Sequence, residues 1–153
     1  MGNNQELFCF IIEDQRYALH LQVVDRILQA VAVNQVPNAP PVIYGLIDYY
    51  GTLLPVMNLR FRLRLPERAI RTSDYFIIAN TPKRKLALVI DEPVDVVVTD
   101  SREIISASAM DPGLPAKGFV RCDDGIIFIY DLETFFTARD EDLLQVIIEN
   151  EMK

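Results

Sequence analysis

The chain is expected to be mainly β, built as small barrels or a sandwich. Three observations point there. Apolar runs of strand length recur along most of the sequence, turn signals separate them at short intervals, and a clear helical stripe appears only near the C-terminus. A single eight-stranded barrel would show fewer interruptions. With 153 residues, half of them hydrophobic and 24% charged, the composition is that of one folded domain with a real core.

Leu7 to Ile12 is a continuous apolar run and reads as a strand. Glu13-Asp14-Gln15 is a polar turn, and the alternation of Arg16 to Leu21 gives a half-buried return strand. Over Val23 to Val33 the first apolar residues fit a short helical turn and the later ones a strand; the pattern does not place the switch. Pro37, Pro40 and Pro41 make a rigid loop. Two β-type runs then flank Gly51, which tolerates the positive φ that a tight hairpin reversal requires. Tyr49 and Tyr50 sit at or beside that reversal. If the strand reaches them, they point to opposite faces.

Leu59 to Leu65 suggests one or two helical turns stopped by Pro66. Tyr75 to Ala79 and Leu86 to Ile90 are strands joined by a charged turn. Asp91-Glu92-Pro93 is expected to break the chain before Val94 to Val98 resumes it. Ser101 to Leu114 is ambiguous, with Asp111-Pro112-Gly113 a loop. Lys117 to Cys122 and Ile126 to Tyr130 form a hairpin with Asp124-Gly125 as its turn. Leu132 to Phe136 suggests a helical turn. Leu143, Leu144, Ile147 and Ile148 share one helical face, with Asp140-Glu141-Asp142 at the N-terminal end, where negative charge suits the helix dipole. That stripe is expected to pack on its own domain. The sequence shows no repeat.

Several function classes are disfavoured. A net charge of −7 repels a phosphate backbone. No apolar run has the length to cross a bilayer, and the N-terminal residues do not read as a secretion signal. Cys9 and Cys122 are few and far apart, which suits reduced thiols. His20, the single histidine, has no nucleophile partner in view and reads as a surface or half-buried side chain. No Cys/His cluster suits zinc, and no glycine-rich loop suits a phosphate. The paired carboxylates Asp91-Glu92, Asp123-Asp124 and Asp140 to Asp142 sit where turns and helix starts already favour acids. No catalytic residue, metal ligand or cofactor site is therefore expected.

Arg60, Arg62, Arg64, Arg68 and Arg71 form a basic segment in an acidic protein. A solvated face is one reading and a surface for an acidic partner is the other. Tyr49, Arg60, Arg62 and Arg64 are accordingly candidate partner-binding residues. An RNA-directed barrel module acting through Arg60–Arg71 is the alternative function, and salt-sensitive RNA binding would mark it.

The stretch from Val36 to Arg60, with its Pro37/Pro40/Pro41 loop, Gly45, the apolar strand, Tyr50-Gly51, Leu54-Pro55-Val56 and Asn58-Leu59-Arg60, resembles the signature of CheW-like domains, the coupling proteins of bacterial chemotaxis. Phe10 to Leu21 resembles that family's opening hairpin. Leu86 to Asp91 resembles its Gly-x-x-Val-Asp strand, and Gly125 to Leu132 its closing strand. The similarity covers residues 5–138, leaving 139–153 as a C-terminal helix or tail.

The resemblance implies two SH3-like five-stranded β-barrels packed together, with short helices. It implies a non-enzymatic cytoplasmic adaptor, held in receptor arrays at the inner membrane without inserting into it. The partners implied are the cytoplasmic tip of a methyl-accepting chemoreceptor and the regulatory domain of a CheA-type histidine kinase. The receptor site implied comprises Val24, Arg26, Gly45, Tyr50 and Gly51, and Gly45→Asp is expected to disrupt coupling while leaving most of the fold. Three positions depart from the family pattern. Tyr50 replaces an arginine before the turn glycine, Arg26 stands where an acid is common, and Asp48 replaces an asparagine. Reversed charge at an interface selects different partners, which points to a paralogue with its own receptor or kinase.

Overall fold

A computed structural model describes residues 3–106, 116–123, 125–134 and 138–151. The expected loop at Asp111-Pro112-Gly113 lies outside these residues, as do Asp124 and Phe135-Phe136. The chain forms β1 (Asn4–Ile12), β2 (Gln15–His20), β3 (Val24–Gln29), β4 (Ile43–Tyr49), β5 (Thr52–Met57), α1 (Leu59–Arg62), β6 (Tyr75–Asn80), β7 (Lys85–Ile90), β8 (Glu92–Asp100), β9 (Ile105–Ser106), β10 (Ala116–Cys122), β11 (Gly125–Tyr130) and α2 (Ala138–Glu151). Three-residue 3-10 turns occupy Leu21–Val23, Ser101–Glu103 and Leu132–Thr134.

The strands make two sheets. One has the order β8-β1-β2-β11-β10-β9, the other β3-β6-β7-β5-β4. Each curls into a barrel because one stretch of chain reaches both edges. In the first, terminal barrel, β8 pairs with β1, the chain kinks through the 3-10 turn, and β9 pairs with β10. Its six strands are thus five, one of them kinked. In the second, central barrel, β3 pairs with β6, and Asn34 farther along bridges Leu46 of β4 through two 2.9 Å backbone hydrogen bonds.

The barrels share one plan. In both, the closing stretch pairs with an antiparallel hairpin (β1-β2 or β6-β7). That hairpin pairs in parallel with a strand of a second hairpin (β11 or β5), and the second hairpin meets the far end of the closing stretch. Only the chain order differs. The terminal barrel takes its first hairpin from the N-terminus, so it is a circular permutation of the central one, and the central barrel is inserted between β2 and β8. The relation is one of strand plan, and the sequence shows no repeat.

Burial explains the apolar runs. In β1, Leu7 and Cys9 fill the terminal barrel, while Phe8, Phe10 and Ile12 face the other barrel. In β6, Phe76 and Ile78 fill the central barrel, while Ile77 and Ala79 face across. Alternation points successive side chains to opposite faces, and here both faces are dry, so a continuous hydrophobic run results. A one-residue slip would exchange every side chain between two differently shaped cores, so register is tightly specified.

Some local expectations change. The chain does not break at Pro93. β8 runs through it, because an edge strand tolerates the missing N–H. The reversal before β11 is not centred on Gly125, which is already paired with Cys122. Over residues 21–33 the turn ends at Val23, strand covers only Val24–Gln29, and Ala30 to Val33 is irregular. On α2, Leu144 is fully buried in the inter-barrel core with Ile148 against it. Leu143 turns outward, however, at 40% exposure.

Gly45 is buried beneath the closing stretch. A Cβ there would stand 2.2 Å from the Asn34 carbonyl oxygen. Gly118 has the same place in the terminal barrel, 2.7 Å from the Ile105 oxygen, and each glycine follows an irregularity in its hairpin register. The expectation that Gly45→Asp spares the fold is therefore corrected, because backbone stands where the side chain would go. Gly45→Ala should cost about 3 kcal/mol in urea unfolding, from overpacking against an immobile backbone, and Gly45→Asp should lose the native far-UV spectrum.

Candidate functional site

The β4-β5 reversal is a two-residue turn. Tyr49 pairs with Thr52, and both central residues have positive φ, 51° at Tyr50 and 87° at Gly51. That matches the primed turns that fit strand twist. Tyr50 is therefore not a strand residue alternating with Tyr49; it is the turn itself, 82% exposed. Asp48 closes the turn by accepting the Gly51 N–H at 2.8 Å. Aspartate and asparagine both offer an oxygen for this bond, so the departure at 48 leaves the turn chemistry intact.

An exposed tyrosine in the left-handed region is uncommon, and this one is held from two sides. The Tyr49 ring meets it edge-on, with centroids 4.8 Å apart. Arg26 lies with its guanidinium carbon 5.8 Å from the ring centroid and donates from Nη1 to Tyr50 Oη at 3.2 Å. Arg26 reaches it because the β3-β6 register shifts between Val24 and Arg26, leaving Asp25 and Arg26 both exposed. Asp25 accepts from Lys85 Nζ at 2.8 Å, and that ammonium lies 5.9 Å from the Tyr49 ring. The Lys85 hydrogen bond holds the Asp25 carboxyl below its ordinary range. Asp25, Lys85, Tyr49, Tyr50 and Arg26 thus form one open circuit across three strands. Tyr50 and Arg26, two of the departures from the family pattern, touch each other.

Val24 is half-buried against the inter-barrel core at the start of the same strand. Gly51 lies in the turn, whereas Gly45 lies under the closing stretch and presents nothing to a partner. Lys85 and Asp25 were not foreseen, since 60 residues separate them. The Asp48 acceptor was legible from its place before Tyr50-Gly51.

The arginine segment is mostly internal. Arg60, 5% exposed, is ion-paired with Glu13 of the β1-β2 turn and, at 2.8 Å, with Asp91 between β7 and β8. Arg68 forks onto Asp74 through two 2.8 Å bonds and also reaches Asp91. Arg62 binds Asp140 of α2 at 3.1 Å, and Arg84 binds Glu141 at 2.9 Å. These charges fasten the barrels and the C-terminal helix to one another. Arg60 and Arg62 are therefore removed from the candidate partner surface; Arg64 is exposed, in the left-handed region at φ 58°. The Asp91 carboxylate, which reads as a turn residue in sequence, is a shared counter-ion.

Both cysteines are free, and burial, then Asp95, pushes the Cys9 thiol up to about 11. His20 is half-buried with its pKa lowered by burial and by Lys117, against Asp131. Among the described residues no group of three His, Cys, Asp or Glu is placed to hold a metal, and no helix is long and apolar enough to cross a membrane.

Two permuted barrels with a shared core and an exposed aromatic-cationic hairpin tip define a β-rich binding protein in form. The chain belongs to the CheW-like domain family, which matches residues 6–140. It is similar to the chemotaxis protein CheW of Treponema pallidum, 23% identical over 88% of this chain and 84% of that protein. It is also similar to the chemotaxis protein CheW of Bacillus subtilis, 31% identical over 67% of this chain and 66% of that protein. The crystal structure of the scaffolding protein TtCheW from Thermoanaerobacter tengcongensis has the same fold, with a TM-score of 0.80 at 22% identity, over 92% of this chain and 96% of that one.

Asp74 sets a pH dependence. Burial would raise its pKa, but the Arg68 fork and the Arg71 N–H outweigh burial and hold it below the ordinary 3.8. A carboxyl depressed on folding adds stability above its unfolded value, and that stability is lost as pH falls through the folded one. Asp74→Asn should therefore be less stable than the wild type in urea at pH 7, with the gap shrinking as the pH falls below the ordinary carboxylate value and through the depressed folded one. Arg60→Met, which leaves Glu13 without its ion-pair partner and Asp91 with Arg68 alone, should cost about 2 kcal/mol at pH 7.

Proposed function

We propose that this chain is a non-enzymatic chemosensory adaptor. It joins the cytoplasmic tip of a methyl-accepting chemoreceptor to the regulatory domain of a CheA-type histidine kinase. It does so in the cytoplasm, within receptor arrays at the inner membrane, and uses no cofactor. Family membership supports the reading, as do relatives described as chemotaxis proteins and a structural neighbour described as a scaffolding protein.

The observation that carries it is the hairpin tip. Tyr50 adds no burial to the fold, sits in a costly backbone conformation, and is nonetheless fixed by Arg26 and Tyr49. A rigid exposed Tyr beside an Arg is the composition of a binding hot spot. Val24, Arg26, Tyr50 and Gly51 are assigned to the receptor face, with Tyr49 supporting the ring. Gly45 acts on that face only through barrel closure. Arg26 pairs with no carboxylate among the described residues, so it favours an acidic residue on the partner. Two modest interfaces on one rigid body then give avidity in an array.

The RNA-directed alternative loses its basis, because Arg60, Arg62 and Arg68 are committed to carboxylates. The swapped chemistry at positions 26 and 50 favours a receptor or kinase of the chain's own over the flagellar set.

Binding to purified receptor fragments and kinase regulatory domains from the same genome tests this reading. One receptor and one kinase should form a ternary complex with the chain. Tyr50→Ala should weaken the receptor arm by about thirtyfold, roughly 2 kcal/mol, with unchanged thermal stability. No complex with any pair would overturn the adaptor role, and equal affinity for the flagellar set would overturn the divergence.

A further inference from the structure

The β3-β6 ladder ends in a fork. Its last rung is the Ala30 N–H to the Asp74 oxygen at 2.9 Å. Beyond it one arm, Val31 to Val33, runs to the Asn34-Leu46 bridge, while the other, Leu65 to Arg71, is drawn aside as Arg68 reaches Asp74 and Asp91. Neither arm contains a turn or bend. Between them lies a groove of about 720 Å³, a volume within the range of ligand sites.

Three features identify what fits it. First, Val31, Ala32, Val33 and Ile70 make no main-chain hydrogen bond within the described residues. The Val31–Val33 arm therefore offers a run of free donors and acceptors, as strand addition requires, whereas on the opposite arm the Arg68 and Ala69 carbonyls accept side-chain donors and Arg71 bonds Asp74, leaving Ile70 open. Second, half of the side chains along it are small or branched and apolar, including Ala32, Ala69 and Ile70, with Val31 53% exposed; Tyr44, Gln35 and Thr72 add polar groups. Third, of its charged residues Arg68 is spent on Asp74 and Asp91 and Glu67 on Asn58, whereas Arg71 is exposed with a side chain bonded to nothing described. The permuted barrel supplies a control. At the equivalent kink, Ser101–Glu103 wind into a 3-10 turn, the Ile104 N–H bonds the Ser101 oxygen, and the cavity beside it is smaller, about 310 Å³.

We propose that the fork is a strand-addition site, taking an extended peptide segment with small apolar side chains and an acidic residue opposite Arg71. It shares no residue with the hairpin tip and does not rest on the adaptor reading. The main-chain groups supply affinity, Ala32 and Ala69 limit side-chain size, and Arg71 fixes direction.

The test is amide-resolved NMR of the full chain with a pool of capped pentapeptides randomised over Ala, Val and Asp. The expected result is shifts and slowed exchange at Val31, Ala32, Val33 and Ile70. N-methylation of alternate peptide bonds should weaken the effect by at least about tenfold, since it removes donors the walls must meet. Arg71→Glu should weaken it by about tenfold through charge reversal. Three results would overturn the proposal: no shifts with the pool at millimolar concentration, equal shifts with the N-methylated pool (a plain apolar pocket), or concentration-dependent shifts without peptide (a second copy of the chain). Indifference to Arg71→Glu would overturn the acidic requirement.

Discussion

Double-sided burial of five strands governs this molecule. β1, β2, β6, β7 and β11 each place alternate side chains in their own barrel and the rest against the other barrel. Neither barrel can therefore keep its outer face dry alone. At roughly 25 cal/mol per Å² of apolar surface, exposing a seam that includes Phe8, Phe10, Tyr17, Leu88 and Tyr130 would cost far more than a domain's net stability. The two barrels therefore share one core, and the insertion of the central barrel between β2 and β8 links them through the chain at both ends.

The polar ties are arranged around that seam. Arg60 spans from α1 to the β1-β2 turn and to Asp91, and Arg68 shares the same aspartate. A buried guanidinium is costly unless its hydrogen bonds are met. Here Glu13, Asp91 and the Pro66 carbonyl meet them. Arg62 and Arg84 tie down the first turn of α2 through Asp140 and Glu141, each leaving its buried Nε without a hydrogen bond among the described residues, and Leu144 and Ile148 of that helix extend the apolar seam. The acidic start of that helix is thus both a favourable dipole partner and a pair of anchors.

What was legible in the sequence follows from how local its causes are. The apolar runs, the Glu13-Asp14 and Tyr50-Gly51 reversals, and the C-terminal stripe depend on neighbours a few residues away. So do the short helical turn after Asn58 and its end before Pro66. The fold class follows from their sum, and the twin barrels from the family resemblance. Pairings between distant residues were not legible. The arginines of residues 60–68 look like a surface because their counter-ions, Glu13, Asp74, Asp91 and Asp140, lie elsewhere in the chain. Gly45 reads as a receptor-site position because nothing nearby reveals that Asn34 covers it. Pro93 reads as a break because an edge position is a property of the sheet.

The same distinction separates the tip from the rest. Three of the nine positions considered as contacts prove to carry structure: Gly45 closes a barrel, Arg60 crosses the seam, and Arg62 holds a helix. A change at any of these is constrained by partners inside the chain. Tyr50 and Arg26 are constrained chiefly by each other, through one hydrogen bond and one ring contact on an exposed surface. Their chemistry can therefore change as a pair without disturbing either core. Departures from the family pattern should collect where the fold is indifferent and a partner is not, and the contact between residues 26 and 50 fits that rule. Asp48, which also departs, keeps the one acceptor the turn requires. Structure thus leaves the side chains at the tip free to vary and holds those beneath it fixed.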